Sequence, residues 1–148
     1  MKKIKIGRND SIVIAGEKYG RLYEEPKGHI DYDKWVEFIE SHKDYFIWYE
    51  DTTEGIDTKE NLNKVPDWAK ERILYLMNKT NAYSTDKIVK HPSDFIVKFN
   101  KINCYIRISI EKKMTSEIAK ILLKMSTFLE AKIIINGNKV LECIEQLE

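Results

Sequence analysis

Ile102-Asn103-Cys104-Tyr105-Ile106-Arg107-Ile108-Ser109-Ile110 is the stretch whose reading decides the fold. Ile102, Cys104, Ile106, Ile108 and Ile110 alternate with Asn103, Tyr105, Arg107 and Ser109, the period of two that sends successive side chains to opposite faces of a strand. One face is apolar and the other largely polar, as in a half-buried antiparallel strand. Five residues later the period changes. Thr115 is a helix-capping residue type, and Ile118, Ile121, Leu122, Met125, Phe128 and Leu129 follow at helical spacing. The intervening Glu111–Met114 is short, so this helix should lie across the sheet that holds the strand.

Working towards the C-terminus, Lys132–Ile135 and Lys139–Cys143 flank Asn136-Gly137, the dipeptide that suits a two-residue hairpin turn. The three isoleucines in Lys132–Ile135 predict a strand covered on both faces, and the last strand is expected at an edge. Towards the N-terminus, Phe95, Val97 and Phe99 alternate as a strand, and Asn78–Pro92 reads as connection. Pro66 fits the first position of a helix with Ala69, Ile73, Leu76 and Met77 inward. Asp51–Lys64 has little apolar content and reads as an ordered loop or a 3₁₀ turn. Tyr45–Tyr49 reads as a strand with Phe46 and Trp48 on one face and Tyr45, Ile47 and Tyr49 on the other. Asp31 caps a helix with Tyr32, Trp35, Val36 and Ile39 inward. Ile4 and Ile6, the turn Gly7–Asp10 and Ser11–Ala15 form a hairpin signal, with Arg21-Leu22-Tyr23 as a third short strand.

Hairpins dominate this order. The expected fold is α+β: a mainly antiparallel sheet built from hairpins, with about three helices packed on one face and some mixed pairing allowed near the first helix. One domain over residues 1–148 is the natural division, and a chain of this size buries roughly 68–70% of its unfolded surface without needing a staple. Cys104 and Cys143 carry no partner motif and are expected as buried, reduced thiols. No apolar stretch reaches the length of a membrane span, and Met1-Lys2-Lys3-Ile4-Lys5-Ile6 lacks the apolar run of a signal peptide, so a cytoplasmic location and no membrane partner are expected.

The charge is segregated. Glu24 to Glu60 holds twelve acids against four lysines, a net −8, whereas residues 1–23 carry +4 and residues 61–148 carry +5. Tyr45-Phe46-Ile47-Trp48-Tyr49 lies inside the acidic third. Aromatics beside a one-sign field suit recognition of a basic protein. The candidate partner-binding residues are therefore Trp48, Tyr49, Glu50, Asp51, Glu54 and Asp57, with the carboxylates steering association and Trp48 or Tyr49 anchoring it.

Other chemistries compete at each cluster. Asp51, Glu54, Asp57 and Glu60 recur every three residues, which would align them on a 3₁₀ turn as a metal site, but no EF-hand spacing occurs. His29, Asp31 and Asp33 resemble half a metal site, yet a helix start accounts for both aspartates. His29, His42 and His91 have no zinc spacing, and no catalytic residue or cofactor is assigned. Gly16–Gly20 lacks the signature of a phosphate loop and reads as a turn. Lys112, Lys113, Lys120 and Lys124, with Lys98, Lys101 and Arg107, could form a nucleic-acid stripe. The solvated face of a helix explains them more simply, and nucleic acid is not expected.

Met125–Leu141 resembles the helix–strand–tight-turn–strand module that closes many small uncharacterised bacterial proteins, including immunity proteins of polymorphic toxin systems. The resemblance implies a non-enzymatic bacterial protein and transfers no functional residue. Together these observations favour a non-enzymatic protein-binding module, an immunity or inhibitor protein masking a basic partner through an acidic aromatic face. The alternatives are a small metal-dependent enzyme using the Asp51/Glu54/Asp57 loop, and a domain with no small-molecule site.

Overall fold

Pairing begins at the hairpin that the alternating stretch makes with its neighbour. In the computed structural model, which describes residues 3–16 and 29–147, strands β4 (Phe95–Asn100) and β5 (Tyr105–Ile110) pair antiparallel from Phe95 opposite Ile110 to Asn100 opposite Tyr105. The turn spans residues 101–104. Asn100 Oδ1 accepts from the Ile102 and Asn103 N–H groups at 3.0 and 2.9 Å, and Cys104 takes a left-handed φ of 54°. This side-chain turn reverses the chain before the expected strand has begun. Ile102 is consequently 86% exposed at the tip, and Cys104 belongs to the turn.

The remaining strands are β1 (Ile12–Ala15), β2 (Phe46–Trp48), β3 (Asn81–Ser84), β6 (Lys132–Ile135) and β7 (Lys139–Leu141). Among the described residues, these with β4 and β5 form one seven-stranded sheet in the order β2-β3-β4-β5-β1-β6-β7, with every pair antiparallel. The mixed pairing allowed near the first helix does not occur among these strands. Asn136 and Gly137 turn β6 into β7 with φ of 52° and 79°, the left-handed pair that a type I′ turn requires. Ile133, Ile134 and Ile135 are buried on both faces, and β7 is an edge, as expected.

Two expectations fail at the strands. The N-terminal hairpin does not form, although its turn does: the Asp10 N–H donates to Gly7 O at 3.1 Å. β1 instead lies between β5 and β6, where Ile12 and Ile14 face isoleucines on both sides, and Ile4 makes only an isolated parallel bridge with Leu147. β3, expected as connection, is a strand because β2 and β4 pair with its two edges; Ala82 and Ser84 are fully buried there. The third strand expected at Arg21-Leu22-Tyr23 lies outside the described residues.

The helices are α1 (Tyr32–Glu40), α2 (Thr53–Glu60), α3 (Asp67–Leu76) and α4 (Ser116–Phe128). Asp31 caps α1 through the Asp33 and Lys34 N–H groups, and Thr115 caps α4 through that of Ile118. α1 and α4 cover one face of the sheet. Trp35, Phe38 and Ile39 from α1 and Ile118, Leu122 and Met125 from α4 share a core with Ile12, Ile14, Ile106, Ile108, Ile133 and Ile135. Phe128, expected in that stripe, is 39% exposed at the last turn of α4 and rests against Phe38 at 5.6 Å. The opposite face of the sheet carries a smaller buried cluster of Val13, Ala15, Tyr105 and Ile134. Neither α2 nor α3 contributes to either cluster.

Candidate functional site

Everything that the acidic third was expected to present grows from the end of β2. The strand stops at Trp48, and a 3₁₀ turn over Tyr49–Asp51 leads into α2. The Thr52 hydroxyl donates to Tyr49 O at 2.6 Å and accepts from the Gly55 N–H at 3.0 Å, which caps the helix. Gly55 lies so close to the turn that an added Cβ would stand 1.9 Å from Tyr49 O. Asp51–Lys64 is thus mostly helix, and its low apolar content hid the fact. α2's only large apolar side chain, Ile56, points to solvent.

The six expected site residues separate into two groups. Trp48 is 1% exposed, meets Trp35 edge-on at 5.5 Å, and is roofed by the Lys43 and Lys79 ammonium groups, each 5.9 Å from its ring. Tyr49 is also buried and packs against Tyr83 at 5.3 Å. A partner arriving at the surface meets neither ring, because strand alternation sends Trp48 inward and the 3₁₀ turn folds Tyr49 back over the sheet. Glu50 is half-buried: its Oε2 accepts the Lys79 N–H at 2.9 Å, while Oε1 is buried with no hydrogen-bond donor among the described residues. It clamps the chain where it returns towards β3. Asp51, Glu54 and Asp57 are exposed, and none forms an ion pair with a described residue.

Helical winding also settles how the carboxylates sit. Three residues of α-helix turn about 300°, so acids at that spacing fan round the axis by about 60° per step. Among the described residues, no three His, Cys, Asp or Glu side chains converge as a metal site, either here or at His29, Asp31 and Asp33. The Asp31 carboxylate is occupied in capping α1. The acids still shape the local field. Burial raises the Tyr83 phenol above its ordinary range and the Glu54 carboxylate adds to the shift; burial and then Glu50 do the same to Tyr32. The lysine stripe is divided. Lys98 and Arg107 face each other across β4 and β5 on the side away from α4, because Val97, Phe99, Ile106 and Ile108 occupy the side beneath it.

α3 supplies what the sequence reading missed. Pro66 is its cap rather than its first residue, and Ala69, Ile73 and Met77 are only half-buried. No residue of α3 is fully buried. Trp68 is 75% exposed, and with Arg72, Tyr75 and Leu76 it lines an open depression along one side of the helix. Those positions follow the i, i+4, i+7, i+8 spacing of one helical face. The signal was present in Asp67–Leu76: apolar residues fall on two sides, and a helix resting on a surface buries only one. No protein-family model, curated protein or solved structure matches the chain.

Proposed function

We propose that this chain is a non-enzymatic protein-binding module that masks a basic partner, in the manner of an immunity or inhibitor protein, and that it docks through the excursion between β2 and β3. The observation that supports this reading is α3: a ten-residue helix with no buried side chain, exposing Trp68, Arg72, Tyr75 and Leu76. Trp, Tyr and Arg are the residue types that dominate binding energy when a partner desolvates them. The same excursion carries the exposed Asp51, Glu54 and Asp57, which form no ion pair with a described residue. Carboxylates of this kind raise the rate of encounter with a basic surface and make that rate salt-dependent. The anchor moves from Trp48 and Tyr49 to Trp68 and Tyr75, and the steering group keeps Asp51, Glu54 and Asp57.

The product of the adjoining gene is the first partner to test, by surface-plasmon kinetics. Asp51→Lys, Glu54→Lys and Asp57→Lys combined should slow association and flatten its dependence on salt. Trp68→Ala should chiefly speed dissociation, because a lost anchor shortens residence. Absence of binding, or wild-type rates from both variants, defeats the proposal.

A further inference from the structure

A groove alongside α4 shares no lining residue with the excursion between β2 and β3. The connection from β3 to β4 runs alongside α4 and leaves a groove of about 360 Å³ between them, ended by Tyr45. Its wall is tied down. The Thr85 N–H donates to Tyr45 O at 2.9 Å, and the Ile88 and Val89 N–H groups donate back to Thr85 O at 3.1 and 3.3 Å. Tyr45, Ile88 and Ile121 make the apolar lining, and Lys87, Lys120 and Lys124 make the charged one. Glu117, one turn before Lys120 and Ile121, is the single acid among the described lining residues, which together carry a net +2.

None of the three lysines forms an ion pair with a described residue. Lys120 and Lys124 stand one helical turn apart, where like charges repel. A bound dianion would offset that repulsion, and ammonium groups lining one groove suit a phosphate. The apolar lining calls for a body attached to that head, and the Tyr45 ring offers a flat surface for an aromatic one. The volume lies at the small end of the roughly 300–1,000 Å³ typical of small-molecule pockets. We propose that this groove binds a small soluble molecule with a phosphate head on a flat aromatic body, the chemistry of a nucleoside monophosphate.

Titration of the full chain with phenyl phosphate, followed by amide NMR shifts, tests the site. Saturable one-to-one binding is expected, with inorganic phosphate and phenol each weaker by about tenfold, since each supplies only half of the complementarity. Lys120→Ala with Lys124→Ala should weaken phenyl phosphate by about tenfold. Tyr45→Ala should weaken phenyl phosphate and leave inorganic phosphate unchanged. Lys112→Ala with Lys113→Ala, outside the groove, should change nothing. The proposal is overturned if phenyl phosphate fails to saturate by about 10 mM, if inorganic phosphate binds as tightly, or if both lysine pairs cause the same loss.

Discussion

Asp10 closes its own turn and joins it to a hairpin more than a hundred residues away. Its Oδ2 accepts the Gly7 N–H at 2.8 Å, and its Oδ1 accepts from Asn136 Nδ2 at 3.1 Å. Asn136 in turn accepts the Ser11 N–H at 2.9 Å. The Gly7 bond, then the Asn136 bond and more weakly Lys139, hold the Asp10 carboxyl below the ordinary aspartate range against the opposing effect of burial. A lowered value in the folded state stabilises the fold above the unfolded value of about 3.9 and ceases to do so as pH falls through the folded value. Urea midpoints should therefore favour wild type over Asp10→Asn at pH 7, with the margin closing in acid; a margin that widens in acid contradicts this. Gly55 carries a second residue-scale prediction. Its backbone is ordinary and only space is lacking, because Tyr49 O occupies the position of a Cβ. Gly55→Ala should cost at least about 1–3 kcal/mol, as overpacking does, and an unchanged urea midpoint would contradict the close approach.

Among the elements, α4 and α3 are opposites. Leu122 on α4 is fully buried, so Leu122→Ala should cost about 2–5 kcal/mol of unfolding free energy. Phe128→Ala should cost less, under about 2 kcal/mol, because part of that ring already meets water. Lys120→Ala should stay within about 0.5 kcal/mol. Equal losses at Leu122 and Phe128 would show that the last turn of α4 is buried in solution. α3 has nothing comparable to lose: Trp68→Ala should also stay within about 0.5 kcal/mol despite the size of the side chain. Its ends are held by a few bonds, such as the Thr80 hydroxyl to Tyr75 O at 2.8 Å. Helical amides there should exchange with deuterium well before those of α4, since few buried contacts resist local opening. Protection of α3 equal to that of α4 would remove its status as an unpartnered face.

At the scale of the whole molecule, β1 joins what the chain order separates. It comes from the first fifteen residues, yet it sits between β5 and β6, and the principal core runs continuously from Trp48 on β2 to Leu141 on β7. Unfolding one end of that core exposes the other. Urea unfolding followed by tryptophan fluorescence, whose change comes mainly from buried Trp35 and Trp48 near β2 because Trp68 already meets water, should therefore coincide with loss of backbone circular dichroism. Separate midpoints would mean that the sheet melts in two parts.

The sequence by itself determined the elements whose patterns are local and strong. Alternation over Ile102–Ile110, which β5 keeps from Tyr105 onward, the 3.6-residue stripe of α4, the Asp31 and Thr115 caps and the Asn136-Gly137 turn each depend on residues within a few positions of one another. Partner choice is different, because it compares surfaces distant in the chain. Ile4–Ile6 and Ser11–Ala15 look like a hairpin until β5 and β6 compete for β1 with longer apolar edges. β3 has no alternation of its own and exists because its neighbours supply hydrogen bonds on both sides. The candidate site follows the same division. Charge needs no fold to be counted, so the acids of the middle third were legible, and Asp51, Glu54 and Asp57 are indeed at the surface. Which aromatics accompany them depended on how much sheet was available to cover each one, and that was settled only when Trp48 packed against Trp35 while Trp68, on a helix that the core does not reach, was left in water.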